Sequence, residues 1–401
     1  MTETRPLTLL CLASYFKGTT FFQTAKQLGC TVLLITREIM SQEDWPRESI
    51  DEIFFMPDLR KRPDIVYAVS YIARSHAIDQ VIALDDYDVE TAGALRDHLC
   101  LEGMGESYAR HFRDKLTMRT LAQKAGIPIP PFTPVFNYDR LRQFMERIPP
   151  PWLLKPRSEA SAMGITTIHH SDEIWPVLDK LGDAQSYFLL EQFLPGDVFH
   201  VDALVDQGEI LFAETHRYAR PPMSVYQGGG VFVTRTLDRR SGTAKTLRAL
   251  NRRVFKALGA QQGATHTEYI HSQVDGNFYF LECASRVGGA NIAEAVENAT
   301  GVNLWAEWAK IEVAHLRGET YQIPPSRSDY AGVINCLARQ EHPDLSVYSD
   351  PEVVWRLKKK HHAGLILASP DSNRLQFLLD EYSRRFAEDF LAVMPPLEKG
   401  A

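Results

Sequence analysis

FYFLECASRVGG, residues 278–289, is a short aromatic strand that ends on an acid, Glu282, carries Arg286 four residues further on and closes on Gly288-Gly289. Upstream, THTEYIHSQV (265–274) runs into Asp275-Gly276-Asn277. An Asp-Gly pair between two alternating apolar runs predicts a hairpin. Alternation places His266, Glu268 and Ile270 on one face of the first strand, and groups Phe278, Phe280 and Glu282 on one face of the second. A turn centred on Asp275 and Gly276 sets Glu268 almost opposite Glu282. Two carboxylates that close repel unless a cation lies between them or an arginine such as Arg286 or Arg252 satisfies each. Oxygen donors suit a hard divalent ion, Mg2+ first.

Working back along the chain, WLLKP (152–156) is a strand that delivers Lys155 beside SEASAMG (158–164), a loop of small residues. Such a loop can donate backbone N–H groups to a polyphosphate while the lysine supplies charge. YFLLEQFLPGD (187–197) puts an acid, Glu191, at a strand end, and its Gln192-Phe193-Leu194 can present backbone edges to a flat base.

Nearer the N-terminus, apolar runs alternate with helix-length segments: LTLLCLA, Lys17 to Leu28, TVLLITR, Pro63 to Ser75, QVIALDD, Val89 to Leu99. This is the pattern of a parallel sheet with crossover helices, so an α/β, Rossmann-like lobe is expected. The loop ASYFKGTT after the first strand lacks a G-x-G-x-x-G, which argues against a dinucleotide cofactor. Helix is expected again from Thr243 to Leu258, from Asn291 to Leu316 and from Arg374 to Val393, the last turning Leu375, Phe377, Leu378, Tyr382, Phe386 and Phe390 inward.

The bulk numbers narrow the classes. The 401 residues are 44% hydrophobic and 24% charged, enough for two or three domains. A net charge of −7 argues against a nucleic-acid partner. Five scattered cysteines without a C-x-x-C pair suggest neither disulfides nor zinc and fit a reducing cytoplasm. No apolar run is long enough to span a membrane. Of the oligomers to expect, a homodimer is the commonest.

The order of these elements, DKLTMRTLAQKAGIPIP, WLLKP, a small-residue loop, LLEQFLPGD, HVDALV, HTEYI and FLECASRVGG, resembles the ATP-grasp superfamily over nearly the whole chain. The nearest look is of its carboxylate-amine ligases and biotin-carboxylase-like proteins. The resemblance implies a Rossmann-like domain over 1–105, an ATP-grasp domain of two α+β subdomains over 106–320, and C-terminal strands and a helix over 321–401 that complete it. It implies ATP and Mg2+ as cofactors, with Mn2+ as a substitute. Lys115 and Lys155 would contact the nucleotide, Lys155 at its phosphates. Glu191, Phe193 and the backbone of Gln192 would hold adenine, Glu268 and Glu282 the metal, and Arg286 the transferring phosphate or a substrate carboxylate. Two departures stand out. Ala284 occupies the place of a usual metal-binding asparagine. Val198 occupies the place of a ribose-binding acid, for which Asp197 is the candidate substitute.

Such a site would activate a carboxylate as an acyl phosphate for attack by an amine, both small molecules. The segment 213–237, with His216, Arg217, Arg220, Arg235 and Gly228-Gly229-Gly230, is the expected substrate-facing piece, Arg217 foremost. A biotin-carboxylase-like carboxylating enzyme and a non-catalytic ATP-binding protein are the alternatives. Cys283, beside Glu282, reads as a small buried hydrophobe.

Overall fold

Four strands of the first lobe lie parallel: β1 Thr8–Ala13, β2 Thr31–Arg37, β3 Glu52–Met56 and β4 Gln80–Ala83, in the order β3-β2-β1-β4. The computed structural model describes residues 5–159 and 163–392. All of β1 is buried, as a strand covered on both faces must be. Leu9, Cys11 and Ala13 enter one apolar cluster, Leu10 and Leu12 another. The helices expected from the periodicity form at Thr19–Gln27, Asp64–Ile72 and Val89–Leu99. β3 was not anticipated, because its EIFFM is half exposed and lacks a continuous buried run. Since β2 and β4 flank β1, the C-terminal ends of β1 and β4 open the crevice where open α/β sheets gather functional groups.

A second, antiparallel sheet follows: β5 Phe132–Pro134, β6 Trp152–Pro156, β7 Thr166–Ile168 and β8 Phe188–Gln192, ordered β5-β8-β6-β7. Helices Tyr138–Arg147 and Ile174–Leu181 pack Leu141, Phe144, Ile174 and Leu178 against Trp152, Leu154 and Leu190.

The third sheet has eight strands: β9 Gly196–Asp206, β10 Glu209–Tyr218, β11 Phe232–Thr236, β12 Gly263–Ser272, β13 Phe278–Ala284, β14 Tyr330–Leu337, β15 Val353–Arg356 and β16 His362–Ser369. Their order is β13-β12-β9-β10-β11-β14-β16-β15. The C-terminal strands therefore extend the sheet that β9 begins.

The two faces of this sheet differ. On one, Phe199, Val201, Tyr269 and Phe280 pack against Leu247, Val254 and Phe255 of helix Gly242–Leu258, which Ser241 caps. On the other, Leu204 and Ala264 share a core with Phe21 and Phe22 of the first lobe and with Leu304 and Trp308. The expected helix from Asn291 to Leu316 is broken at Gly301 into Ile292–Thr300 and Leu304–Arg317, with Gly301 at φ 79°. The last helix spans Ser372–Asp389, and Val393, its expected end, lies outside the described residues. Phe377 is 61% exposed rather than inward, because it stands about 200° around the helix from buried Leu375.

Candidate functional site

β12 and β13 pair as the Asp-Gly turn requires, and Glu268 faces Glu282 in the register. The side on which Glu282 points departs from simple alternation. The register slips between Glu268 and Tyr269, so that Tyr269 pairs with Phe280 and Leu281 is the extra residue of a bulge. Tyr269 and Phe280 stay in the core under helix Gly242–Leu258, while Glu282 joins Glu268 on the opposite face. The expectation that Phe278, Phe280 and Glu282 share a face is thus corrected. Arg119 Nη1 donates to the carbonyl of the bulged Leu281.

Among the described residues no arginine pairs with either glutamate. Lys115 Nζ lies 2.8 Å from Glu282 Oε2, and Tyr218 donates its hydroxyl to Glu268 Oε1 at 2.9 Å. Burial would raise the Glu282 pKa, but Lys115 outweighs it and the carboxyl is held below its usual range. Among the described residues no hydrogen bond reaches Glu268 Oε2 or Glu282 Oε1. Both residues line the same cavity, so two oxygen donors remain open there, a donor set that fits a hard divalent ion.

Lys115 is the first residue of helix Lys115–Lys124, which Asp114 caps by accepting from Leu116 N at 3.0 Å and Thr117 N at 3.3 Å. Its own N–H donates to Arg157 O at 2.8 Å and its Nζ to Glu159 O at 2.7 Å, tying the helix to the chain that leaves β6. Residues 160–162 of the expected phosphate loop lie outside the described residues, and Glu159 and Met163 on either side line the cavity.

Lys155 and Arg119 converge on Glu191, with Lys155 Nζ 2.5 Å from Oε1 and Arg119 Nε 2.6 Å from Oε2. Burial would raise the Glu191 pKa; the two cations outweigh it and hold the group at about 2. Glu191 is therefore a buried anchor for two cations, and it lines the cavity beside Gln192. Gln192 N–H donates to Pro131 O and Phe193 N–H to Pro151 O. Gln192, Phe193 and Leu194 all line the cavity, leaving carbonyls and side chains as what Gln192 and Phe193 present.

Arg286 also lines the cavity, and its guanidinium stands 3.5 Å from Asp86 in the turn that follows β4. Burial opposes its charge, and Asp86, Asp85 and Glu282 more than compensate, raising its pKa. Behind it, Ala290 and Asn291 both take left-handed backbone, φ 53° and 64°. Two such non-glycine residues in succession cost roughly 1–3 kcal/mol each, a strain found where a turn is functionally constrained. Cys283 faces the core beside Thr267, and burial pushes its thiol up to about 12, leaving it inert.

Asp197 and Arg217 are not brought to the cavity. Val198 and Tyr218 point into it, so their strand neighbours point away, where Arg217 Nη2 pairs with Asp197 Oδ2 at 2.9 Å and lies over Phe199. Arg235 faces Arg217 across the ladder, and Arg220 packs beside Gly230. What the 213–237 segment does contribute is Tyr218, Phe232 and its helix Pro222–Gly228, with Met223, Val225 and Tyr226 on the cavity wall. Arg217→Ala is accordingly expected to leave steady-state turnover within about threefold of wild type, less than 1 kcal/mol on the barrier. A loss of a hundredfold would return Arg217 to the site.

Sequence reasoning passed over Arg119, Tyr218, His200, Asp202 and His266. Asp202 accepts from His200 Nδ1 at 2.6 Å and His266 Nδ1 at 2.8 Å, all inside the sheet. Burial and the neighbouring histidines drive the His200 pKa down to about 3 despite Asp202, whereas Asp202 and Glu268 overcome burial to lift His266 to about 9. The available signal was a polar pair two residues apart in each of HVDALV (His200, Asp202) and HTEYI (His266, Glu268). The cavity itself, about 580 Å³, lies between the second and third sheets.

No family model matches the chain. It is 24% identical over 306 residues to the L-arginine-specific L-amino acid ligase of Bacillus subtilis, covering 73% of this chain and 72% of that protein. In fold it is similar to the L-amino acid ligase of Bacillus licheniformis, with a TM-score of 0.76 at 17% identity over 98% of this chain and 100% of the other. It is also similar to the N5-carboxyaminoimidazole synthetase of Staphylococcus aureus complexed with ADP, with a TM-score of 0.72 at 14% identity over 96% and 98%. With the paired glutamates, the two lysines and the arginine all on one cavity, the chain is similar in fold and in site to the ATP-grasp carboxylate-amine ligases.

Proposed function

We propose that the protein is an ATP-dependent ligase that joins a small carboxylate to a small amine, amino acids or compounds like them. The observation that carries this reading is the bulged hairpin, which turns Glu268 and Glu282 onto one cavity with Lys115, Lys155 and Arg286. Glu268 and Glu282 are the residues that would hold Mg2+, or Mn2+ in its place. When bound, that ion neutralises phosphate charge and polarises a phosphoryl oxygen. Ala284 lies opposite His266 and offers no ligand, so the remaining ligands of such an ion would have to come from water or phosphate oxygens.

The protein's own part is positioning and charge. A carboxylate is a poor electrophile until its oxygen is phosphorylated; the acyl phosphate so formed can be attacked by an amine with phosphate leaving. Lys155 and Lys115 supply positive charge beside the glutamates, and Arg286 adds a guanidinium held by Asp86. Groups fixed in this way stabilise developing charge without reorganising at the moment of reaction. The apolar wall of Leu194, Ile270, Phe232 and the Pro222–Gly228 helix limits water at an intermediate that water would destroy.

The test is ADP and phosphate release with ATP, Mg2+ and pools of amino acids and small carboxylates. Release that requires both a carboxylate and an amine, with an amide product by mass spectrometry, is the expected result. Release driven by bicarbonate and biotin would identify a carboxylating enzyme instead. Nucleotide binding without turnover in any pool would indicate a binding protein.

A further inference from the structure

Asp202 is buried at the centre of the eight-stranded sheet, where an ionised carboxylate is costly unless it is paired and hydrogen-bonded. Its partners come from three strands. His200 of β9 and His266 of β12 hydrogen-bond to it, and His216 of β10 brings Nδ1 to 3.3 Å while stacking on His200 with centroids 4.4 Å apart. β11 adds Thr234, whose hydroxyl lies 2.7 Å from His200 Nε2. The ligand atoms of His200, Asp202 and His266 lie within 4.8 Å of one another, but the N–O separations of 2.6 and 2.8 Å are hydrogen bonds. Two donors on a tetrahedral ion with bonds of about 2.0 Å stand roughly 3.3 Å apart. The cluster is a polar network and not an ion cage.

The network has two outlets, both toward the cavity. His266 Nε2 is 3.5 Å from Glu268 Oε1 and 3.4 Å from the Tyr218 hydroxyl, which itself donates to Glu268 at 2.9 Å. Gly288, two residues beyond Arg286, sits so close that a Cβ there would meet Asp202 Oδ1 at 2.6 Å and His266 Nδ1 at 3.1 Å. The glycine is therefore required by close approach to this carboxylate.

We propose that Asp202 and His266 are positioning residues that, with Tyr218, set the Glu268 carboxylate for the metal ion and seat the Arg286 loop through Gly288, so that the metal-binding strand and the arginine loop share one buried support. The proposal rests on the ligase reading above. Outer-shell groups that orient a metal-binding carboxylate change metal affinity about 10- to 100-fold when removed.

The experiment measures Mn2+ binding by electron paramagnetic resonance, in the presence of a non-hydrolysable ATP analogue, together with metal-free binding of the same analogue and the melting temperature. His266→Asn keeps a donor near Nδ1 for Asp202 but loses the reach to Glu268. Tyr218→Phe leaves every partner of Asp202 in place. Each is expected to weaken Mn2+ binding about tenfold or more, with metal-free nucleotide binding within about twofold of wild type. Gly288→Ala, which crowds Asp202 without removing a polar group, is expected to weaken Mn2+ binding as well. Mn2+ affinity within twofold of wild type in both His266→Asn and Tyr218→Phe would overturn the proposal. Should His266→Asn fail to fold, Tyr218→Phe decides alone. A wild-type protein that binds no Mn2+ with the nucleotide overturns the ligase reading and this proposal with it. Tight wild-type binding with unchanged variants overturns only the positioning role.

Discussion

Glu282→Ala is expected to lower ATP turnover by about three orders of magnitude, roughly 4 kcal/mol on the barrier, while the protein stays folded. Glu282 offers one of the two open carboxylate oxygens on the cavity, and with Ala284 two residues away the strand has no further ligand to take its place. The fold should survive because the side chain is about a third exposed and the loss frees only Lys115, which retains Glu159 O as a partner. The measurement is steady-state ADP release beside circular dichroism and a melting curve. Turnover near that of the wild type in a folded variant would remove the metal assignment.

Lys155→Ala should lower kcat/KM for ATP by about a hundredfold, in keeping with the loss of one charge-assisted contact to phosphate of about 2–3 kcal/mol. It carries a second, independent signature. Glu191, held at about 2 by Arg119 and Lys155 against burial, is depressed relative to its unfolded value. Its contribution to stability is therefore complete above about pH 4.3 and disappears as pH falls toward about 2. Without Lys155 the depression shrinks, so the window of loss narrows and the contribution at neutral pH falls. Melting curves between pH 2 and 7 should show the variant losing less stability on acidification than the wild type. Unchanged kinetics would contradict the phosphate role, and an unchanged pH dependence would mean that Arg119 alone holds Glu191.

Much of this site was legible in local sequence because strand ends and tight turns have local causes. Asp275-Gly276 fixed the hairpin, the hairpin set Glu268 opposite Glu282, and WLLKP delivered Lys155 from a strand end. Asp197 and Arg217 were misplaced for an equally local reason: a one-residue step along a strand changes the face, and Val198 and Tyr218 hold the inward positions. Glu191 was seen as an acid at the right place, but its partners Arg119 and Lys155 lie 72 and 36 residues away in sequence. The Asp202 network draws on four strands and so had no contiguous signature.

By itself the sequence determined the α/β alternation of the first lobe, the β12–β13 hairpin and the inventory of acids and cations, since these follow from periodicity, turn chemistry and composition. Only the tertiary structure decided which way Glu282 points. The bulge at Leu281 turns Glu282 to the cavity while Phe280 remains in the core, and the Leu281 carbonyl is held by Arg119 of a distant helix. A period of two cannot encode its own interruption. The interruption is fixed by packing against Tyr269 on one face and by a guanidinium that only the folded chain brings near.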